Sequence, residues 1–399
     1  NAFISEDGHP KDGVIQVDGK VMMKEEHRKY YALRFAGISG GMQRNEIYPV
    51  GQTDKLFRND AGRKFIDISK TSGDIGKDPG KGLSATWWDY DADGDLDLYV
   101  GNDFEDPDHL YRNETESGTI RFTDVADQAL PHSSWYSMGA DAADLNNDGL
   151  LDFLTVDMAA TTHFGQKSTM GEMGSKLRAI LSVRPFQFMR NALYIGTGTP
   201  HFQEAAFLSG LAYSDWSWAP KLADFDNDGR TDVFISNGMS RPFTHSDITS
   251  RLPENHRVGR TEWEIFENYP PQKEKNLAYR NRGDLEFEPT GAEWGLDHLG
   301  MSYGTAYGDL DHDGDLDLVV VNLDEPVAIY RNDESSGKRV LLSLRGERNN
   351  RFGIGASVRI EAGGMTQVQG LSPMTGYLSC NAPQLHFGLG DAERIDSLV

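Results

Sequence analysis

Apolar residues along this chain come in short runs spaced by turn-forming residues. The runs Leu96 to Val100, Phe153 to Val156, Val233 to Ser236 and Leu316 to Val321 alternate or stay continuously apolar, are rich in β-branched and aromatic side chains, and are bounded by Gly, Asn and Asp. That is strand chemistry. Each run follows an acidic loop, and other apolar segments end in an aromatic-Arg-Asn tripeptide: Phe57-Arg58-Asn59, Tyr111-Arg112-Asn113, Tyr279-Arg280-Asn281 and Tyr330-Arg331-Asn332, with Tyr194 a degenerate copy. From aromatic to the next acidic loop the spacing is about 30 residues in all four copies, which marks a structural period. A unit of roughly 50 residues with several short strands is the size of a propeller blade, so the expected fold is all-β and of the β-propeller kind.

Two units are longer than the others by about 30 residues, too little for a further unit. These insertions, 158–190 and 238–275, read as loops with short helices projecting from one face. Met173, Leu177, Ile180 and Leu181 fall at helical spacing, and Thr261 with Glu264 forms a capping box ahead of Ile265 and Phe266. The expected layout is an N-terminal segment 1–53, read as a partial blade without an acidic loop, then the repeats over 54–334 and a different β module over 335–399. In that last module the strand candidates are Val340 to Leu344, Ala356 to Ile360, Met365 to Val368 and Gln384 to Phe387. The chain starts without Met or a leader and stops at Ile395-Asp396-Ser397-Leu398-Val399, inside what reads as a final strand, so both ends are expected to be truncated.

The acidic loops carry the chemistry. They run Asp89-Tyr90-Asp91-Ala92-Asp93-Gly94-Asp95-Leu96-Asp97, Asp144-Leu145-Asn146-Asn147-Asp148-Gly149-Leu150-Leu151-Asp152, Asp224-Phe225-Asp226-Asn227-Asp228-Gly229-Arg230-Thr231-Asp232 and Asp309-Leu310-Asp311-His312-Asp313-Gly314-Asp315-Leu316-Asp317. Oxygen side chains recur at the first, third, fifth and ninth positions. Carboxylates this crowded repel one another, and a hard divalent cation that accepts six to eight oxygens relieves the repulsion. Gly at the sixth position permits the sharp turn that brings the ligands to one centre. The seventh position (Asp95, Leu150, Arg230, Asp315) varies, as expected where only a backbone carbonyl coordinates. An all-oxygen set favours Ca²⁺, at about four structural ions, over zinc or copper. The simpler reading, that Asp and Gly merely cluster in turns, loses weight because the loop recurs at one place in the repeat.

The chain of 399 residues holds 62 Asp or Glu against 39 Lys or Arg, a formal charge of −23. This sign argues against nucleic acid and anionic membrane surfaces. Seventeen of the acidic residues lie in the four loops, so the loops account for most of the excess, and the case against nucleic acid then rests on the missing basic face. No apolar stretch approaches the roughly 18 residues of a transmembrane helix. The single cysteine, Cys380, allows no intrachain disulfide and is expected to be a buried apolar residue.

The Asp-x-Asp-x-Asp-Gly-x-x-Asp loops, each followed by a strand such as Leu96-Asp97-Leu98-Tyr99-Val100, resemble the FG-GAP/VCBS repeats of integrin-α-type β-propellers. Ser137 to Asp144 and Asp215-Trp216-Ser217-Trp218-Ala219-Pro220 look like secreted bacterial proteins of the cartilage acidic protein type. Gly353-Ile354-Gly355-Ala356 and Leu385-His386-Phe387-Gly388-Leu389-Gly390 resemble their C-terminal ASPIC/UnbV domain. This resemblance implies seven blades, calcium in loops on one face, an extracellular, periplasmic or cell-surface location and, for most members, no demonstrated enzymatic activity. The reading is therefore a calcium-binding adhesion, binding or scaffold module for a protein or glycan ligand. A propeller-based polysaccharide lyase or hydrolase, and a purely structural surface or matrix protein, are the rivals.

Other motifs weigh less. Gly37-Ile38-Ser39-Gly40-Gly41 fits a nucleophile elbow, but Met42 to Pro49 is a poor helix to follow it. Arg282-Gly283-Asp284 spells an adhesion tripeptide at a place where a hairpin turn is expected. Asn113-Glu114-Thr115 is a glycosylation sequon. Trp87, Trp88, Trp135, Trp216 and Trp218 precede acidic loops at similar offsets and are read as core packing, with a glycan-binding face as the alternative.

Overall fold

Each acidic loop leads into a strand: Asp97–Asn102, Asp152–Val156 and Asp232–Asn237 are buried along their whole length, and Asp317–Asn322 at Asp317, Leu318 and Val320. Burial on both faces explains why these strands read as continuous apolar runs. The computed structural model describes residues 14–17, 20–27, 31–39, 42–49, 51–60, 62–104, 106–169, 183–251, 261–333, 337–347 and 350–399.

Gly82–Trp88, Asp97–Asn102, His109–Asn113 and Phe122–Asp124 pair antiparallel in chain order. The same four-strand arrangement recurs in Gly139–Ala143, Asp152–Val156, Ala192–Ile195, Gln203–Glu204, and again in Ser217–Ala223, Asp232–Asn237, Leu277–Asn281, Phe287–Pro289. A fourth sheet has three strands, Ser302–Gly308, Asp317–Asn322 and Ala328–Tyr330. The all-β, propeller-type expectation is met by these sheets, each an up-and-down unit with its acidic loop between the first and second strands.

The first strands of successive sheets pack side by side. Thr86 Oγ1 donates to the Ala140 carbonyl at 3.1 Å, and the Leu222 N–H donates to Asp141 Oδ2 at 2.9 Å. Apolar layers fill the spaces between sheets. One holds Trp88, Tyr99, Phe153 and Tyr194, and a second holds Trp135, Met138, Leu154, Trp216 and Trp218. Trp88, Trp135, Trp216 and Trp218 are thus core residues, while Trp87 is half-buried against Phe122.

Ahead of the first sheet, Phe57–Asp60 and Lys64–Asp67 form a hairpin that carries the aromatic-Arg-Asn marker. Phe57 and Phe65 are 53% and 70% exposed, whereas their counterparts Tyr111 and Phe122 are 1% and 4% exposed. Among the described residues this hairpin pairs with no inner strand. Tyr31–Ser39 pairs antiparallel with Met42–Pro49, so the apolar run before the Gly-x-Ser-x-Gly segment enters a hairpin rather than the strand-to-helix turn an elbow requires. Gly40 and Gly41 lie outside the described residues.

Both insertions leave the ends of second strands, opposite the acidic loops. The first carries the helix His163–Ser168, N-capped by Thr162, while Met173, Leu177, Ile180 and Leu181 lie outside the described residues. The second carries Ser246–Thr249 and Glu262–Phe266, and the Thr261–Glu264 capping box is formed. No helix among the described residues is long and apolar enough to cross a membrane.

The C-terminal module pairs Lys338–Leu342 with Leu385–Gly390 and places Ser357–Ala362 between Met365–Gly370 and Ser397–Leu398. Its own core contains Val358, Ile360, Leu371, Leu385 and Phe387. Between Met365–Gly370 and Leu385–Gly390, the segment 372–382 runs out as a finger along the first strands of the repeat sheets. There the Gly376 N–H donates to the Ala140 carbonyl at 2.7 Å, Tyr377 packs on Trp218 with ring centroids 4.7 Å apart, and the Thr305 N–H donates to Ser379 Oγ at 2.9 Å. Lys221, fully buried, donates to the Thr375 carbonyl and to its Oγ1 at 3.1 and 2.8 Å. Cys380 corrects the sequence expectation: it is exposed, because it lies on the finger and not inside a sheet.

Candidate metal centre

All four acidic loops adopt one backbone path. The fourth position turns left-handed at Ala92, Asn147, Asn227 and His312 (φ 60, 57, 58 and 66), and the sixth is always a Gly with φ between 89 and 96. Asn is among the few side-chain-bearing residues that tolerate this region, which is why it recurs there.

The first-position carboxylate organises the turn. Asp89 Oδ1 and Oδ2 accept the N–H groups of Asp93 and Gly94 at 3.1 and 3.0 Å; Asp144 accepts Asp148 and Gly149 at 3.2 and 3.0 Å; Asp224 accepts Asp228 and Gly229 at 3.2 and 2.8 Å. The fifth position repeats the device one step on: Asp93, Asp148, Asp228 and Asp313 accept from the seventh-position N–H of Asp95, Leu150, Arg230 and Asp315.

The ninth position begins the second strand and is buried, which fixes its carboxylate between two backbone donors. Asp97 accepts Tyr90 and Asn113 N–H at 3.0 and 2.7 Å, Asp152 accepts Leu145 and Gly196 at 2.9 and 2.8 Å, Asp232 accepts Phe225 and Asn281 at 3.0 and 2.9 Å, and Asp317 accepts Leu310 and Asn332 at 2.8 and 2.9 Å. In three units the second donor is the Asn of the aromatic-Arg-Asn tripeptide. The two sequence markers, far apart in the chain, therefore meet at one carboxylate.

Within this frame the first, third and ninth carboxylates converge. Asp89, Asp91 and Asp97, Asp224, Asp226 and Asp232, and Asp309, Asp311 and Asp317 each offer oxygens that all lie within 4.8 Å of one another. Two oxygens each about 2.4 Å from a shared ion stand at most about 4.8 Å apart, so the spacing suits Ca²⁺. The second loop has the amide of Asn146 at the third position, and its Oδ1 accepts the Asp148 N–H at 3.0 Å.

Electrostatics point the same way. Burial pushes Asp97 and Asp152 up to about 8, Asp144 to about 7 and Asp224 to about 8, with neighbouring loop carboxylates adding to the shift. Asp95 is pushed up to about 6 by burial and by Asp93, Asp89 and Asp91, and Asp89 and Asp91 also rise. Asp232, fully enclosed, is raised well above the carboxylate range. Oδ1 atoms of Asp91, Asp95 and Asp309 are buried with no hydrogen-bond partner. Buried carboxylate oxygens without donors are stabilised by a cation, so the residues present fit one.

The loops differ in their surroundings, which spacing alone did not show. In the third, Arg280 Nε lies 2.8 Å from Asp226 Oδ2, and Arg230 Nη1 lies 2.9 Å from Asp228 Oδ2. In the fourth, Asp315 is not a bystander: its Oδ1 meets Arg339 Nη1 at 2.9 Å and Asn227 Nδ2 at 2.7 Å. Asn113 of the sequon donates its Nδ2 to the Leu96 carbonyl at 3.0 Å, an arrangement that a glycan on that nitrogen would disrupt. Arg282-Gly283-Asp284 occupies a hairpin turn closed by Glu286 N–H to the Gly283 carbonyl at 2.9 Å, and Arg282 is ion-paired with Glu288.

Comparison with known proteins agrees with this geometry. The FG-GAP-like repeat matches residues 89–155 and 180–235, and the ASPIC and UnbV domain matches residues 346–399. The chain is similar to cartilage acidic protein 1 of Homo sapiens, at 25% identity over 442 residues, covering 94% of this chain and 61% of the human protein. To cartilage acidic protein 1 of Mus musculus it is 26% identical over 186 residues, covering 46% of this chain and 25% of the mouse protein. The chain thus spans less than two thirds of the length of either relative. It carries FG-GAP-like repeats and an ASPIC and UnbV domain, features that fit an extracellular protein.

Proposed function

We propose that this chain is a calcium-stabilised extracellular binding or adhesion module, without enzymatic activity of its own, that presents a protein or glycan ligand site on a scaffold held in shape by about four structural Ca²⁺ ions. The observation that carries this reading is the convergence of first, third and ninth carboxylates in three loops of identical path. The ligands are Asp89, Asp91, Asp93, Asp97 and the Asp95 carbonyl in the first loop, and Asp144, Asn146, Asp148, Asp152 and the Leu150 carbonyl in the second. In the third they are Asp224, Asp226, Asp228, Asp232 and the Arg230 carbonyl, and in the fourth Asp309, Asp311, Asp313, Asp317 and the Asp315 carbonyl. When bound, each ion neutralises carboxylates that otherwise repel, and so stabilises the folded sheet by mass action.

The ligand site belongs on the face opposite these loops. The acidic face is occupied by the C-terminal module, whereas the other face carries both insertions, with Phe164 75% and Trp263 56% exposed. Exposed aromatics on a rigid scaffold suit sugar faces or apolar side chains of a protein. Two measurements test the reading. Excess EGTA should lower the melting temperature, as should Asp91→Ala and Asp311→Ala in calcium; an unchanged value in all three sinks the calcium assignment. A glycan and protein array run beside a lyase and hydrolase assay should show binding without turnover, and turnover would overturn the non-enzymatic reading.

A further inference from the structure

The C-terminal module grips the acidic loops through their backbone. Arg339 donates to the Asp313 carbonyl while its Nη1 pairs with Asp315, and His386 Nε2 lies 3.2 Å from the Gly314 carbonyl oxygen. The Gly390 N–H donates to the Asn227 carbonyl at 2.9 Å, and Asn147 Nδ2 donates to the carbonyls of Thr366 and Gly229 at 3.2 and 3.0 Å. Gly388 lies so close to Asp224 and Asn227 that a Cβ there would overlap the Asp224 carboxylate. The first loop takes no part in these hydrogen bonds and meets the module at Leu96, beside Gly355.

The groups that are gripped are the ones whose positions depend on the loop's internal charge. Asn227 is the left-handed fourth position of its loop, and Asp313, Gly314 and Asp315 are the fifth, sixth and seventh of theirs. Four or five carboxylates that lose their cation either take up protons or move apart, and both displace these carbonyls. The module then loses its footing on the third and fourth loops, while the finger keeps its contacts with Lys221, Ala140, Trp218, Thr305 and Tyr307 on the first strands.

We propose that cation binding at the third and fourth loops and docking of the C-terminal module are thermodynamically linked, so that withdrawing calcium releases residues 338–399, finger included, before the first repeat sheet is lost. The proposal rests on the calcium reading given above and adds a direction to it: the chain closes in calcium and opens at its C-terminal end without it. Linkage is reciprocal, so loosening the module must weaken calcium binding at the loops it covers by the same factor.

The experiment is hydrogen exchange by mass spectrometry on the full chain across a free-calcium titration, with calorimetric calcium binding run in parallel. In EGTA, the wild-type finger peptide 372–382 should exchange at least about 5-fold faster than in calcium, at a concentration where strand 97–102 keeps its protection. In Thr375→Val/Ser379→Ala, which touches no loop, the calcium midpoints of peptides 224–232 and 309–317 should rise by about 5-fold or more while that of 89–97 stays put. Arg339→Gln, which loosens the module from the loop side, should raise the 309–317 midpoint as well. A finger equally protected with and without calcium, where calorimetry shows that calcium binds, overturns the linkage alone. Midpoints that do not move in either variant, or move equally in all three loops, overturn it too. Absence of calorimetric binding takes down the calcium reading, and the linkage with it.

Discussion

The backbone N–H of Asn113 donates to Oδ1 of Asp97 at 2.7 Å, joining the third strand of the first repeat sheet to the last residue of its acidic loop. Asp97 is fully buried, and its other oxygen accepts from Tyr90. This carboxylate therefore has a structural duty independent of any cation. Asp97→Ala leaves two buried donors unmet and should cost on the order of 2–4 kcal/mol in EGTA as well as in calcium. Asp93→Ala, at an exposed position of the same loop, should cost under about 1 kcal/mol in EGTA and more in calcium. Urea unfolding of both variants under the two conditions checks this, and equal behaviour of the pair would refute the division of roles.

The fourth loop position offers a stabilising change. Asn147, Asn227 and His312 suit the left-handed backbone there, whereas Ala92 adopts φ 60 without a side chain that tolerates it well. Ala92→Asn should raise stability by roughly 0.5–1 kcal/mol. A melting temperature equal to or below that of the parent would show that Ala92 is not strained.

Buried acids away from the loops set a pH dependence. With saturating calcium holding the loop carboxylates ionised, Asp157 still titrates near 7 and Asp108 and Asp141 near 6, all pushed up by burial despite the donors around them. Folded values above the unfolded one mean that the stability they confer is complete below about pH 4 and is lost as pH rises through 6 to 7. The melting temperature in calcium should fall by a few degrees between pH 5 and pH 8. A flat or rising profile would contradict it.

Cys380 should react with a thiol reagent in the native protein, at one thiol per chain and without denaturant, because it stands exposed on the finger. Modification that waits for unfolding would mean that the finger lies elsewhere.

Much of this was legible in the residues. The repeat, the strand type and the oxygens that could share a cation follow from side-chain chemistry at fixed spacing, because carboxylates crowded within nine residues leave few structures open to them. The roles of single residues were not so legible. Asn113, Asn281 and Asn332 stand out as a motif, but nothing in their spacing shows that their amides meet Asp97, Asp232 and Asp317. Asp315 at a variable position reads as a bystander and is held by Arg339 and Asn227.

By itself, then, the sequence determined the local parts: which segments are strands, where a sharp turn needs Gly, and which oxygens can share an ion. Only the tertiary structure decided which face of the repeats is covered, that a finger from the C-terminal module lies along the first strands, and that Lys221 is buried against Thr375. The reason is separation along the chain. Local periodicity and turn chemistry act within a few residues, whereas the contacts between 141 and 222, 221 and 375, or 315 and 339 depend on how whole sheets stack, and no short-range pattern encodes that.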